Sequence, residues 1–242
     1  MSVVAVIAGA GSGTRLGSQG PKALVLLGGE PLLVHAVRSM AQSGVIDACV
    51  VTAPADDVVT FREVLDRAGL DARVVAGGAS RQASVAAGLD VAGDAEFVLI
   101  HDAARALTPV EQIRGVVAAL RAGHPAVVPA LPVVDTIKRV GPMTVDGTEP
   151  VVETLDRGTL RGMQTPQGFP MAVIREAHRR FAASAANEAE SAPDDAFLVE
   201  AAGLPVVLVP GSELAMKVTR PLDLRIAELL LEEGLGAEDC AD

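Results

Sequence analysis

The sequence contains no tryptophan, no tyrosine and only five phenylalanines among its 242 residues. Stacking of a nucleobase on an indole or phenol ring is therefore excluded. Any recognition of a base must use main-chain groups and small polar side chains. Cysteine is also scarce, since Cys49 and Cys240 are the only two and lie far apart. A disulfide framework and a zinc motif are thereby excluded.

Long apolar runs and a positive charge balance are missing as well. No uninterrupted apolar run approaches the length of a membrane span, and the N-terminus lacks the basic start and cleavage pattern of a signal peptide. The formal net charge is -11, which disfavours broad nucleic-acid binding. We therefore expect a cytoplasmic protein in which a local cluster of cations holds any anionic ligand.

Half of the residues are hydrophobic, which is enough for a full core, and short β-branched runs alternate with helical stretches. This alternation predicts an α/β fold with a Rossmann-like, doubly wound, mostly parallel sheet. We expect one domain over residues 1–233 and a flexible tail at 234–242. Strands are predicted at residues 3–7, 48–52, 73–76, 97–100, 126–128 and 206–209. Helices are predicted at residues 31–42, 57–68, 81–89, 109–121, 171–183, 195–201 and 222–231, with stops at Gly44, Gly69, Gly123 and Gly203.

Residues 135–162 break the alternation of strands and helices. Asp146-Gly147 is a typical hairpin turn, and short β-prone runs flank it. We predict a protruding β-arm here. Because such an arm has little core of its own, we expect it to pack on a neighbouring subunit.

The stretch AGAGSGTRLGSQGPK, residues 8–22, follows the first predicted strand. Glycines after a strand let backbone N–H groups approach a phosphate closely. The stretch lacks the dinucleotide pattern, because Thr14 or Leu16 stands where its last glycine belongs, and it lacks the P-loop pattern. Arg15 and Lys22 can hold a chain of phosphates from two sides. The structural alternative is a surface loop whose charges are solvated.

Six segments occur in an order that carries a family resemblance: GSGTRLG with PK, HDAARALT, DTIKR, LDRGTLRGMQTPQGF, DDAFLVE and MKVTRPLDL. Together they resemble the 2-C-methyl-D-erythritol 4-phosphate cytidylyltransferase family, over nearly the whole chain. The resemblance implies the nucleotidyltransferase fold and a homodimer formed through the arm. It also implies transfer of CMP from CTP to methylerythritol phosphate, with release of pyrophosphate, in the non-mevalonate isoprenoid pathway.

The resemblance also implies roles for individual residues. The implied catalytic residues are Arg15, Lys22, Arg157 and Lys217. The implied nucleotide-binding residues are Ala8, Gly9, Ala10, Gly11, Ser12, Gly13, Gly78, Ser84 and Asp102. The implied substrate-binding residues are Arg105, Thr136, Arg157, Thr165 and Lys217. Mg²⁺ is the implied cofactor, with Asp102 as its ligand.

Purely structural roles stay open for several of these positions. The structural alternatives are a turn cap at Asp102 beside a packed His101, a cap at Ser80 for the helix that begins near residue 81, and an exposed arm cation at Arg157.

Four positions depart from the family pattern. Ala106 replaces a proline, Pro193 replaces a threonine before the acids, and Ala215-Met216 replaces Asn-Ile before Lys217. The lost polar side chain is expected to weaken the anchoring of that last loop. Three alternatives stay open: a cytidylyltransferase for another polyol phosphate such as ribitol 5-phosphate, a sugar-1-phosphate nucleotidyltransferase, and a nucleotide sensor without turnover. The failed glycine pattern disfavours a dehydrogenase.

Overall fold

A computed structural model describes residues 1–11, 20–186 and 188–234. The strands are β1 (Val3–Ala8), β2 (Leu26–Leu27), β3 (Glu30–Pro31), β4 (Ala48–Ala53), β5 (Arg73–Ala76), β6 (Phe97–Asp102), β7 (Val127–Pro132), β8 (Lys138–Val140), β9 (Val151–Thr154), β10 (Arg161–Met163), β11 (Gln167–Pro170) and β12 (Val207–Pro210). The helices are α1 (Leu32–Gln42), α2 (Val58–Arg67), α3 (Arg81–Val91), α4 (Val110–Arg121), α5 (Met171–Arg180), α6 (Asp195–Ala201) and α7 (Pro221–Glu232).

The main sheet follows the order β10-β7-β11-β6-β1-β4-β5, and β12 pairs with β7. β1 lies between β4 and β6 and is parallel to both, as β5 is to β4 and β12 is to β7. The predicted α/β, mostly parallel sheet is therefore confirmed. Two antiparallel strands, β10 and β11, were not predicted. Their sequences, RGM and QGFP, contain no β-branched residue, so nothing in them indicated a strand.

The core lies on both faces of the sheet, as expected for parallel strands that helices cover on either side. Along β1, Val3, Ala5 and Ile7 face one layer, and Val4 and Val6 face the other. The first layer contains buried residues of α1, α2 and α4. The second contains buried residues of α3, α5 and α6. A smaller cluster under α7 buries Leu27, Leu107, Val218 and Ala227.

Four helices end close to the glycines that were predicted to stop them. All four predicted stop glycines have φ between +67° and +99°, a region that favours glycine. α5 ends earlier than predicted and gives way to a 3₁₀ turn at Ala182–Ala186. The carbonyl of Phe181 accepts hydrogen bonds from Gln82 and Ser184 instead of continuing the α-helical ladder. In the described parts of the chain, no helix has both the length and the apolar character needed to cross a membrane.

The arm forms a two-stranded hairpin of β8 and β9, with a register irregularity between Arg139 and Val140. Gly147 adopts a φ of +82° at its turn. Val151 and Val152 are exposed. The last residues of the predicted arm, 161–162, belong to β10 and pair with β7 of the main sheet. The hairpin therefore presents apolar side chains that its own chain does not cover.

Close packing of α3 on the sheet predicts opposite effects for two helical glycine-to-alanine changes. A Cβ at Gly88 would lie 2.5 Å from Val6 Cγ1 and 3.3 Å from Thr52 Cγ2, so Gly88→Ala should lower the free energy of unfolding by about 1–3 kcal/mol. Gly115 of α4 has nothing within 4 Å of its Cβ position, so Gly115→Ala should raise it by about 0.5–1 kcal/mol. Urea denaturation measures both. Equal effects of the two changes would contradict this packing.

Candidate active site

A cleft of about 510 Å³ opens at the carboxyl ends of β1 and β6. The chain passes from β1 to β4 on one side and later returns to β6 on the other, so the cleft lies at the switch point where open α/β sheets bind ligands. The predicted residues that line it are Ala8, Gly9, Ala10, Gly11, Lys22, Gly78, Ser84, Asp102 and Lys217. The charged groups of the lining are Lys22, Arg81, Lys217, Asp102 and Glu188. Cations therefore outnumber carboxylates here, although the chain is strongly acidic.

The start of the glycine-rich loop is fixed by close backbone packing. Gly9 donates its N–H to the carbonyl of Thr52 at 3.0 Å, and a Cβ at Gly9 would lie 2.8 Å from that oxygen. At the other end of the loop, Lys22 donates its backbone N–H to the carbonyl of Gly11 at 3.0 Å. The two ends of the loop therefore meet, which places Lys22 on the cleft. Ser12, Gly13 and Arg15 lie outside the described residues.

The segment before α3 packs directly against this loop. A Cβ at Gly77 would lie 2.8 Å from that of Ala10. The Ser84 hydroxyl accepts the N–H of Gly78 at 3.1 Å and donates to the carbonyl of Ser80 at 2.9 Å. The predicted cap is confirmed, because the Ser80 hydroxyl accepts the N–H of Ala83. The buried Ser84 thus holds Gly78 in place at the wall of the cleft.

Asp102, the last residue of β6, is the electrostatic centre of the cleft. Its Oδ1 lies 3.1 Å from Arg81 Nε, and its Oδ2 lies 2.8 Å from Lys217 Nζ. Burial alone would raise the pKa of Asp102. The charges of Arg81 and Lys217 and the hydrogen bond from Lys217 outweigh burial, so the pKa lies far below its ordinary range. Asp102 is therefore a carboxylate at any physiological pH.

The backbone at Lys217 is anchored through the next residue, Val218. Val218 is buried in the cluster under α7 and donates its N–H to the carbonyl of Ala104 at 2.9 Å. The Lys217 side chain stays 41% exposed at the cleft. Its backbone is therefore anchored while its ammonium group remains accessible to a ligand.

Sequence reasoning missed Arg81 and Asp195. Arg81 Nη1 lies 2.7 Å from Asp195 Oδ2, and His178 Nε2 lies 3.0 Å from Asp195 Oδ1. A signal for Arg81 was available, because it is the first residue of α3. A cation at a helix N-terminus is unfavourable unless carboxylates compensate it, which both aspartates do.

Thr165 lies behind Asp102 and is buried. Its hydroxyl accepts the N–H of Asp102 at 3.1 Å and lies 2.8 Å from His101 Nδ1. His101 Nε2 faces the carbonyl of Arg105 at 3.3 Å. Because a carbonyl can only accept, the neutral ring carries its proton on Nε2, and Nδ1 accepts the proton of the Thr165 hydroxyl. His101 is therefore a neutral packing residue that supports the end of β6.

Arg105 connects two chain segments through their carbonyl groups. It donates from Nη1 to the carbonyl of Ala215 at 2.7 Å and from Nη2 to that of Met163 at 3.2 Å. Its buried Nε has no hydrogen-bond partner among the described residues. The anchor at Ala215 uses the main chain, so it does not depend on the polar side chain that the family pattern has near this position.

Thr136 and Arg157 lie on the arm and are exposed. Arg157 begins a 3₁₀ turn at Arg157–Thr159 and donates from Nη1 to the carbonyl of Val134. Neither side chain lines the cleft of its own chain. The structure therefore brings together the predicted nucleotide residues and Lys217, with Thr165 and Arg105 behind them, and leaves the two arm residues apart.

A doubly wound sheet, a glycine-rich loop after β1 and cations around a switch-point cleft define a nucleotide-binding protein of the nucleotidyltransferase type. The family model described as "IspD: 2-C-methyl-D-erythritol 4-phosphate cytidylyltransferase" matches residues 3–233. The chain belongs to this family, as the resemblance of its motifs implied.

Several named relatives are similar over almost their whole length. The 2-C-methyl-D-erythritol 4-phosphate cytidylyltransferase of Streptomyces coelicolor is 49% identical over 94% of this chain and 84% of its own. That of Rhodococcus opacus is 49% identical over 96% of both chains. Among solved structures, the Thermus thermophilus enzyme of the same name has a TM-score of 0.74 at 35% identity, covering 96% of this chain and 100% of its own. The Anaerococcus prevotii 4-diphosphocytidyl-2C-methyl-D-erythritol synthase has a TM-score of 0.78 at 26% identity, covering 96% and 98%.

The buried His101 predicts a specific loss of stability on acidification. Burial lowers its pKa to about 4, below the unfolded value of roughly 6.5. The unfolded chain therefore takes up this proton first, and the contribution of His101 to stability falls as the pH drops from about 6.5 towards 4. When the pH falls from 7.5 to 5.0, the unfolding free energy of the wild type should decrease. This decrease should be about 2 kcal/mol larger than the decrease in the His101→Gln variant.

Urea denaturation of both proteins at the two pH values measures this difference. The lowered pKa of Asp102 does not interfere, because a carboxylate of this kind loses its contribution only below the unfolded pKa of about 3.9. Parallel losses in the two proteins would show that His101 is not buried as a neutral group.

Proposed function

We propose that this chain transfers CMP from CTP to 2-C-methyl-D-erythritol 4-phosphate, releasing pyrophosphate. The observation that carries the proposal is the surplus of cations around the cleft of an acidic chain, next to the glycine-rich loop. A phosphate oxygen of the acceptor attacks the α-phosphate of CTP, and both groups are anions. No general base is needed, so the reaction requires positioning and neutralisation of charge.

The cations of the cleft have distinct roles in this reaction. Lys22, at the end of the loop, stabilises the charge that develops on the α-phosphate, and Arg15 is proposed to act beside it. Lys217 holds the phosphate of the acceptor. Its pairing with the Asp102 carboxylate at 2.8 Å supports this role, because the carboxylate orients the ammonium group before any ligand arrives.

The base is read without aromatic side chains. Residues 8–13 supply N–H groups around the nucleotide, and Gly78 with Ser84 presents a small hydrogen-bonding surface for cytosine. The fixed position of Gly78 on the Ser84 hydroxyl supports this assignment. Close packing between Gly77 and Ala10 supports it further, because it holds both halves of the nucleotide site in one rigid unit.

The second substrate is proposed to lie between two copies of the chain. Arg157 and Thr136 are exposed on the arm and do not line their own cleft, while apolar residues of the hairpin lack cover. A homodimer in which each arm reaches the partner's cleft explains both features. Arg157 would then hold methylerythritol phosphate opposite Lys217, with Thr165 and Arg105 supporting the same end of the site.

Mg²⁺ is proposed as the cofactor. Among the described residues no group of three or more metal-binding side chains is present, but Mg²⁺ commonly uses one carboxylate together with substrate phosphates. Asp102 is deprotonated and lines the cleft, so its carboxylate fits this donor set. When bound, the ion neutralises phosphate charge. A cytoplasmic location remains a prediction from the sequence.

A product assay tests the reaction and its substrates. The purified chain is incubated with Mg²⁺, one of CTP, UTP or GTP, and one of methylerythritol 4-phosphate, ribitol 5-phosphate or a sugar 1-phosphate. We expect pyrophosphate and a diphosphocytidyl product only with CTP and methylerythritol phosphate. Higher kcat/KM with ribitol 5-phosphate would replace the proposed acceptor. Turnover with none of the pairs would indicate a nucleotide sensor.

Lys22→Ala should lower kcat by roughly 10²–10³, because it removes a cation that acts on the developing charge. The Kd of CTP, measured by calorimetry, should rise much less. Arg67→Ala is the control, since Arg67 forms an exposed ion pair with Glu63 on α2. If CTP binding and turnover suffered equally, Lys22 would be a ground-state binding residue only.

Arg157→Ala should raise the KM for methylerythritol phosphate and leave CTP binding unchanged. Coexpression with Lys22→Ala, assayed at a methylerythritol phosphate concentration far below the KM of Arg157→Ala, then tests the composite site. In a mixed dimer, one cleft carries both substitutions and the other carries none, so random pairing should restore about one quarter of wild-type activity. A site built within one chain would give no restoration, and the mixture would stay as inactive as its components.

A further inference from the structure

The strongest feature that the proposed function does not use is a buried bridge at the N-terminus of α3. The Arg81 guanidinium lies between two carboxylates, 3.1 Å from Asp102 Oδ1 and 2.7 Å from Asp195 Oδ2. Its side chain is 19% exposed, against 41% for Lys217. Burial alone would lower the pKa of Arg81, but the two carboxylates raise it, so the bridge is permanently charged.

Asp195 provides a rigid base for this bridge. It is the first residue of α6, where the Asp194 side chain caps the helix by accepting the N–H of Phe197. Gln167 of β11 fixes the same helix end, donating to Asp194 at 2.9 Å and accepting the N–H of Ala196 at 3.0 Å. The second oxygen of Asp195 contacts His178 Nε2. The far end of the bridge is therefore attached to the sheet and to α5.

The two oxygens of Asp102 have unequal partners. Oδ1 faces the partly buried Arg81, whose planar guanidinium holds this oxygen in one orientation. Oδ2 faces Lys217, which is more exposed and has a flexible stem. When a phosphate group draws Lys217 away, Asp102 keeps its orientation through Oδ1. Its Oδ2 then points into the cleft towards the reactants.

We propose that Arg81 and Asp195 form a positioning pair that holds Asp102 by Oδ1, so that Lys217 can exchange its carboxylate partner for a substrate phosphate during each turnover. Arg81 acts through Asp102 and is not required for nucleotide affinity. The inference rests on the proposed cytidylyl transfer and assigns two residues to it that carry no role in the motif comparison.

Arg81→Lys keeps the positive charge but loses the planar fork that spans two carboxylates. We expect kcat to fall about 10- to 100-fold, because Asp102 is misplaced. The Kd of CTP, measured by calorimetry, should change less than about threefold. Arg67→Lys, on the exposed face of α2, is the matched control and should match the wild type. Unchanged kcat, or an equal loss of kcat and CTP affinity, would overturn the proposal.

Asp195→Asn tests the same pair through the carboxylate that lies away from the cleft. If Arg81→Lys does not fold, this variant is sufficient to test the proposal. It leaves Arg81 with one carboxylate, so we expect kcat to fall about 10-fold at a temperature well below its melting point, with CTP affinity unchanged. A residue with a purely structural role would lower the melting temperature and leave kcat as it is. That result would contradict the inference.

A crystal structure of Asp195→Asn gives a readout that does not depend on turnover. We expect the Asp102 carboxylate to leave its native orientation, because Arg81 is no longer held between two acids. An unchanged Asp102 would overturn the inference even if the wild type is active. Conversely, if the wild type is inactive while Asp102 is reoriented in the variant, that combination would contradict the proposed reaction and support the positioning pair.

Discussion

The ion pairs of Asp102 are the interaction on which the cleft depends. A chain with a net charge of -11 must concentrate positive charge to bind a triphosphate, and cations placed close together repel one another. The Asp102 carboxylate lies between Arg81 and Lys217 and lowers that repulsion. Burial makes each contact stronger, and the depressed pKa ensures that the carboxylate stays charged.

The position of this carboxylate follows from the topology of the sheet. Asp102 is paired in register with Ala8, so the carboxylate and the start of the glycine-rich loop leave the sheet side by side. Thr165 lies just before β11, which pairs with β6 in the same sheet. Its hydroxyl accepts the backbone N–H of Asp102 and contacts the neutral His101 ring. A charged His101 would bring a further cation next to an already crowded group. Burial keeps His101 neutral and therefore limits the positive charge beside Asp102.

Most of the fold could be predicted from the sequence, because the parallel strands are short β-branched runs and the helices stop at glycines. That residues of the glycine-rich loop line the cleft could also be predicted, because these residues are contiguous in the sequence. β10 and β11 could not, because they have no strand-like composition and are defined by pairing with β6 and β7. The pairing of Arg81 with Asp195 could not, because these residues are 114 apart in sequence and meet only through the packing of α3 and α6.

The arm and the cleft make the strongest case that one chain is incomplete. Within a chain, cations cluster at the cleft, while Arg157 lies in an exposed turn that follows a hairpin with an uncovered apolar surface. More cations in one cleft would increase repulsion before substrate arrives, since Asp102 already lies between two cations, Arg81 and Lys217. In the homodimer proposed above, the second chain supplies the further cation, so the folded monomer avoids that cost. The proposed dimerisation and the charge balance of the cleft would then follow from the same constraint, which is the amount of positive charge that one acidic fold can hold in one place.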